Sequence, residues 1–136
     1  MEWFQNDKEL LSLYIHHLIE KNNEVYESDF RCVQNDKELL TLLVYYLIKN
    51  DKLKGHYLYY VEDDEKLLTL CIHHLIKNDE VDNDVLYYVQ NDKELLTLCV
   101  QNLIKNNKVN DYTLRFVRDD KELYEKCKLA LEKQKK

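Results

Sequence analysis

The stretch QNDKELLTL, residues 34–42, returns unchanged at residues 90–98. A copy with serine for threonine begins at Gln5, and looser copies begin at Glu62 and Arg118. The five starts lie 29, 28, 28 and 28 residues apart. The chain is therefore one short unit repeated over residues 5–33, 34–61, 62–89 and 90–117, with a partial fifth copy over residues 118–136. A fixed period of this length marks a stacked array, in which neighbours bury a face that one unit cannot bury alone. Four full units exceed the ~3 that such arrays need. The 136 residues are expected to form a single domain.

Each unit reads as two helices. Proline is absent and glycine occurs once, at Gly55, which excludes a β-rich or disordered chain. Asn/Asp pairs at Asn35-Asp36, Asn50-Asp51, Asp63-Asp64, Asn78-Asp79, Asn91-Asp92 and Asn106-Asn107 cut the chain into helix-sized pieces. Their short side chains bond nearby backbone and favour caps and turns. Asn35 with Glu38 forms a predicted capping box, repeated at Asn6/Glu9, Asn91/Glu94 and Asp119/Glu122. The third unit, where Lys66 follows Asp63 at that spacing, is expected to lack it. In the helix that follows, Leu39, Leu40, Leu43, Val44, Leu47 and Ile48 make an apolar arc wide enough to be covered on two sides. The second helix is shorter: Leu53, Leu58 and Val61 recur as Val81, Leu86 and Val89, then as Val109, Leu114 and Val117.

In period and helix pairing the chain resembles the two-helix solenoids, the broad group that holds tetratricopeptide and ankyrin repeats. It carries neither the small-residue and proline pattern of the first nor the TPLH start of the second. The resemblance implies an all-α, right-handed αα-solenoid of about four 28-residue helix-turn-helix repeats. The narrow stripe Leu123, Cys127, Leu131 under a Lys/Glu-rich surface suits a C-terminal capping helix. No functional residue is carried over by a resemblance of architecture alone.

The net charge of −6 disfavours a general nucleic-acid binder. Residues 1–68 hold 8 Lys/Arg against 14 Asp/Glu, while residues 69–136 hold 12 of each and end in a locally basic stretch. No apolar run approaches the ~18 residues of a membrane span, and no secretory signal opens the chain. Cys71, Cys99 and Cys127 occupy one position in successive units, expected roughly 10 Å apart and too far for a disulfide. Reduced, buried thiols in a cytoplasmic protein follow from that reading.

Against the constant leucine frame, one pair of positions drifts from unit to unit: His16-His17, Tyr45-Tyr46, His73-His74 and Gln101-Asn102. Repeat proteins bind through such varied positions on a fixed frame, so these eight residues are the candidate partner-binding ladder. At the other end, Trp3 and Phe4 align with the tail of a second helix. The first inner helix is then expected to leave Leu10 and Tyr14 uncovered, for self-association into a homodimer. Cys71 and His74 share a helix face but lack the further converging ligands a zinc site needs, so no metal or cofactor is expected. No phosphate loop, nucleophile elbow or HExxH motif is present, and the carboxylate clusters sit where helix starts explain them, which argues against an enzyme. Eleven tyrosines invite single-stranded RNA, but the basic track that mode requires is missing.

The expected function is a non-enzymatic scaffold that binds another protein. Near-identical units and an Asn/Lys/Tyr/Ile-rich composition fit recent duplication in an AT-rich viral, phage or mobile-element genome. That motivates a runner-up, a small acidic inhibitor blocking the nucleic-acid groove of a host or defence enzyme, and a third option is a self-assembling structural protein.

Overall fold

The computed structural model describes residues 8–135, and all of their regular structure is helical. In order these are α1 (Lys8–Glu20), α2 (Glu27–Val33), α3 (Lys37–Lys49), a 3-10 segment Gly55–Tyr60, α4 (Glu65–Lys77), a 3-10 turn Asn83–Val85 running into α5 (Leu86–Val89), α6 (Lys93–Lys105), α7 (Asp111–Val117) and α8 (Lys121–Gln134). No helix among the described residues is long and apolar enough to cross a membrane.

Two side-chain devices, used over and over, set the helix ends. Four of the long helices, α1, α3, α4 and α6, end in a residue with left-handed backbone: Asn22, Asp51, Asp79 and Asn107, with φ of 54–57°. Around each, the next residue's N–H reaches back five positions, from Asn23 to Leu18 O (3.0 Å), Lys52 to Leu47 O (2.9 Å), Glu80 to Leu75 O (2.8 Å) and Lys108 to Leu103 O (2.9 Å). This is the Schellman closure, which satisfies carbonyls the helix leaves open. Asn and Asp tolerate the left-handed region better than other residues with a Cβ, which is how a chain with one glycine makes the turn four times.

Helix starts are the second device, and here the structure corrects the expected cap by one residue. The accepting side chain is Asp36, not Asn35: its Oδ1 takes the Leu39 N–H at 3.1 Å. Asp64 does the same for Leu67, Asp92 for Leu95 and Asp120 for Leu123, each at 3.1 Å. The third unit therefore keeps its cap. With the cap moved by one residue, the third helical position is a leucine in all four of these helices (Leu39, Leu67, Leu95, Leu123). None of them carries the reciprocal carboxylate of the expected capping box, and Lys66 makes no difference. A lysine of the preceding first helix stands over three of these caps, Lys8 on Asp36 (3.8 Å), Lys37 on Asp64 (3.8 Å) and Lys93 on Asp120 (4.0 Å).

The second elements begin at Glu27, Gly55, Asn83 and Asp111, again 28 residues apart, but differ in winding. Asn110 caps α7 by accepting from Tyr112 and Thr113 N–H. Lys54 offers no accepting side chain, and the segment after it tightens to 3-10 geometry, which satisfies the first N–H groups locally.

The chain divides into two compact units, Met1–Cys71 and Ile72–Lys136. In the first, α3 packs on α1 and α2, and Leu39, Leu43, Val44 and Leu47 close over Ile15, Leu18 and Phe30. The Phe30 ring is fully buried, stacked on Tyr57 (4.7 Å) and Tyr60 (5.3 Å). Asp29 is buried too, and accepts from the Tyr14 hydroxyl (2.5 Å) and the Tyr26 N–H (2.8 Å). In the second unit α6 packs on α5 and α8, and α7 packs on α8, around Leu86, Val89, Cys99, Val100 and Leu103. The expected stripe of α8 is seated here, with Leu123 and Cys127 buried and Leu131 half-buried.

Candidate partner-binding surface

On an α-helix, adjacent residues point about 100° apart. The varied pair of each first helix is therefore split between two surroundings. His16, Tyr45, His73 and Gln101 face solvent, Tyr45 with 54% of its surface exposed. Their neighbours mostly do not. Tyr46 and Asn102 are each only 6% exposed, His74 is half-buried, and His17 alone of the four is open.

The buried members hold the left-handed turn of the unit before them. The Tyr46 hydroxyl lies 3.0 Å from Asn22 Oδ1 and 2.8 Å from the Asn23 carbonyl, and shares its proton between them. Asn102 Nδ2 donates to the Ile76 carbonyl at 3.1 Å and to Asp79 Oδ1 at 2.9 Å. Asn106, then Asn102, hydrogen-bond the Asp79 carboxylate, and Lys105 stands 3.4 Å from it; together they hold its pKa below the ordinary range. A phenol and a carboxamide thus do one job, so drift at this position reflects interchangeable clasps. The drift at His16, Tyr45, His73 and Gln101 has no such partner to explain it.

Tyr45 also lines a groove of about 410 Å³ between α1 and α3, with Ile19, Leu42 and Lys49 beside it. Concave, partly apolar surface with a few polar groups is the usual form of a binding site. Each second element also has one exposed residue at the matching repeat position, Arg31, Tyr59, Tyr87 and Arg115. Tyr59 stands edge-on to Tyr60 and Tyr87 to Tyr88, which fixes their rings at little entropic cost. A last member was missed in α8, where Leu129, 28 residues after Gln101, is 57% exposed. The repeat period alone places it in the exposed set.

Of the expected self-association residues, Trp3 and Phe4 lie outside the described residues. Leu10 is 40% exposed. Tyr14 is half-buried, with its hydroxyl bonded to Asp29 and its pKa raised by burial and by that carboxylate.

None of the four cysteines is in a disulfide. Burial pushes Cys71 and Cys99 up to about 12 and Cys127 up to about 11, which removes thiolate character at neutral pH. Among the described residues no three His, Cys, Asp or Glu side chains converge on one point, and no buried side-chain polar atom lacks a partner. Comparison with known proteins finds no matching family model, no similar curated protein and no matching solved structure.

Proposed function

We propose that the chain is a non-enzymatic protein-binding scaffold: a right-handed αα-solenoid of 28-residue units, closed by α8, that presents one varied side chain per unit. Recurrence of cap, turn and lysine–aspartate contact at the 28- to 29-residue period supports the stacked reading of the units. One observation carries the binding reading. In α3 and α6 the drifting pair separates into a clasp that explains itself and an exposed residue that does not, and the exposed set includes Tyr45 at the lip of a groove.

Affinity capture from native host lysate tests it, with and without nuclease and at low and moderate salt. A scaffold retains one protein that survives nuclease and is nearly indifferent to salt, because anchors of this kind act by burial. The acidic-inhibitor reading rests on the carboxylate excess of residues 1–68 and expects capture that weakens steeply with salt. Nuclease-sensitive capture would point to RNA, and an empty column with concentration-dependent mass would point to assembly through the open face of α1.

A further inference from the structure

The last first-type helix, α8, lacks the clasp. Ala130 stands where α3 has Tyr46 and α6 has Asn102, and a methyl group cannot reach the Asn107 turn. The chain is held further along instead, where Gln134 Nε2 donates to the Val109 carbonyl (2.7 Å) and the Val109 N–H donates to Gln134 Oε1 (3.0 Å). Between these points a groove of about 430 Å³ opens between α6 and α8. That volume falls in the ~300–1,000 Å³ range of functional pockets.

Ile104, Leu129 and Ala130 give this groove an apolar floor, and Lys105, Lys126 and Lys133 form its rim. No carboxylate lines it. The matching groove between α1 and α3 has a similar volume, about 410 Å³, but a single lysine and two tyrosines. A chain with net charge −6 thus gathers three cations around its most exposed leucine outside α1. Lys105 and Lys126 have acidic neighbours, Asp79 at 3.4 Å and Glu122 at 3.3 Å, but both pairs are solvent-exposed. Exposed pairs are weak and exchange readily for a partner's carboxylate.

We propose that this groove binds an acidic peptide as a short amphipathic helix. Apolar side chains spaced i, i+3, i+4 seat on Leu129, Ile104 and Ala130, and Asp or Glu residues flanking them meet the three lysines. A helix laid between two helices is an established mode of peptide recognition, and about 12 residues of it span ~18 Å. The inference rests on the reading of the chain as a binding module and names the chemical class of partner at one end of it.

The test is selection of a random 16-residue phage-displayed peptide library against the full chain, followed by fluorescence anisotropy with the enriched peptides. The expected peptides combine apolar residues at helical spacing with two or more acidic ones. Their affinity falls at least tenfold in Leu129→Asp, in the milder Leu129→Gln, and in the pair Lys126→Glu/Lys133→Glu, with circular dichroism unchanged. The exposed variant Tyr45→Ala/His73→Ala leaves them bound. Failure to enrich any peptide, peptides without acidic residues, or binding indifferent to the α8 variants would each overturn the proposal. Peptides lost on Tyr45→Ala/His73→Ala but kept by the α8 variants would overturn it while sparing the scaffold reading. Oligouridylate that binds wild type and is released by Lys126→Glu/Lys133→Glu would assign the rim to nucleic acid and also overturn it.

Discussion

Helices α1 and α3 carry similar residues in the same order, yet α3 covers leucines on a face that α1 leaves exposed. Leu10 is 40% exposed where its equivalent Leu39 is 4% exposed, and Leu13 faces water where Leu42 is half-covered. Position 14 holds a half-buried tyrosine where α3 has the fully buried Leu43. His17 is open where Tyr46 is clamped on a turn. Nothing in the local sequence makes this difference. It comes from what packs alongside: α3 lies against both α1 and α2, while Leu10 and Leu13 of α1 stay exposed. The repeat supplies the surface, and the neighbour decides whether it becomes core.

The comparison can be broken by truncating one leucine in each helix, a buried one in α3 and an exposed one in α1. Leu43→Ala opens a cavity in a fully buried site and should cost about 2–5 kcal/mol, whereas Leu13→Ala should stay within about 0.5 kcal/mol. Urea denaturation of the two variants checks both, and equal losses would mean that α1 is covered as α3 is. Next in size are the clasps. Tyr46→Phe removes the buried hydroxyl's hydrogen bonds to the exposed Asn22 turn and should cost about 1.5 kcal/mol, and Asn102→Ala should cost a similar amount. Tyr45→Phe and Gln101→Ala, one residue away, should be silent in the same melts.

Smaller still are the caps. Asp64→Ala should lose about 1 kcal/mol, matching Asp36→Ala and Asp92→Ala, since all three aspartates make the same bond. A silent Asp64→Ala would return the third unit to the capless state its sequence suggests. The smallest effect is a pH dependence. Asp79 has a folded pKa below its unfolded value, so its contribution is present above the unfolded pKa and fades as pH falls through the folded one. Wild type and Asp79→Asn should therefore differ most in urea midpoint near neutrality and converge in acid. Thiol labelling sharpens the picture of the core. Half-buried Cys32 should react with Ellman's reagent before Cys71, Cys99 and Cys127, which burial keeps protonated.

Much of the local fold was legible because Asn and Asp act over a few residues. The pairs Asn50-Asp51, Asn78-Asp79 and Asn106-Asn107 marked helix ends, and all three contribute the left-handed residue. The cap slipped by one because Asn35 and Asp36 are both good caps, and only the backbone at the helix entrance chooses between them. The exposed ladder was legible as variation, but not which half of each pair turned outward. That depends on a turn more than twenty residues earlier, which Tyr46 and Asn102 reach by tertiary packing alone. Leu129 was legible from the period, since its equivalents His16, Tyr45, His73 and Gln101 are exposed as well.

The most direct test of the account pairs the outward and inward residues in one capture experiment. Tyr45→Ala/His73→Ala/Gln101→Ala should keep wild-type circular dichroism and urea midpoint and lose the captured protein. Tyr46→Phe should lower the midpoint and keep that protein at a temperature where the variant is folded. Partner retained by the outward triple variant and lost from folded Tyr46→Phe would contradict the division of labour on which the scaffold reading stands.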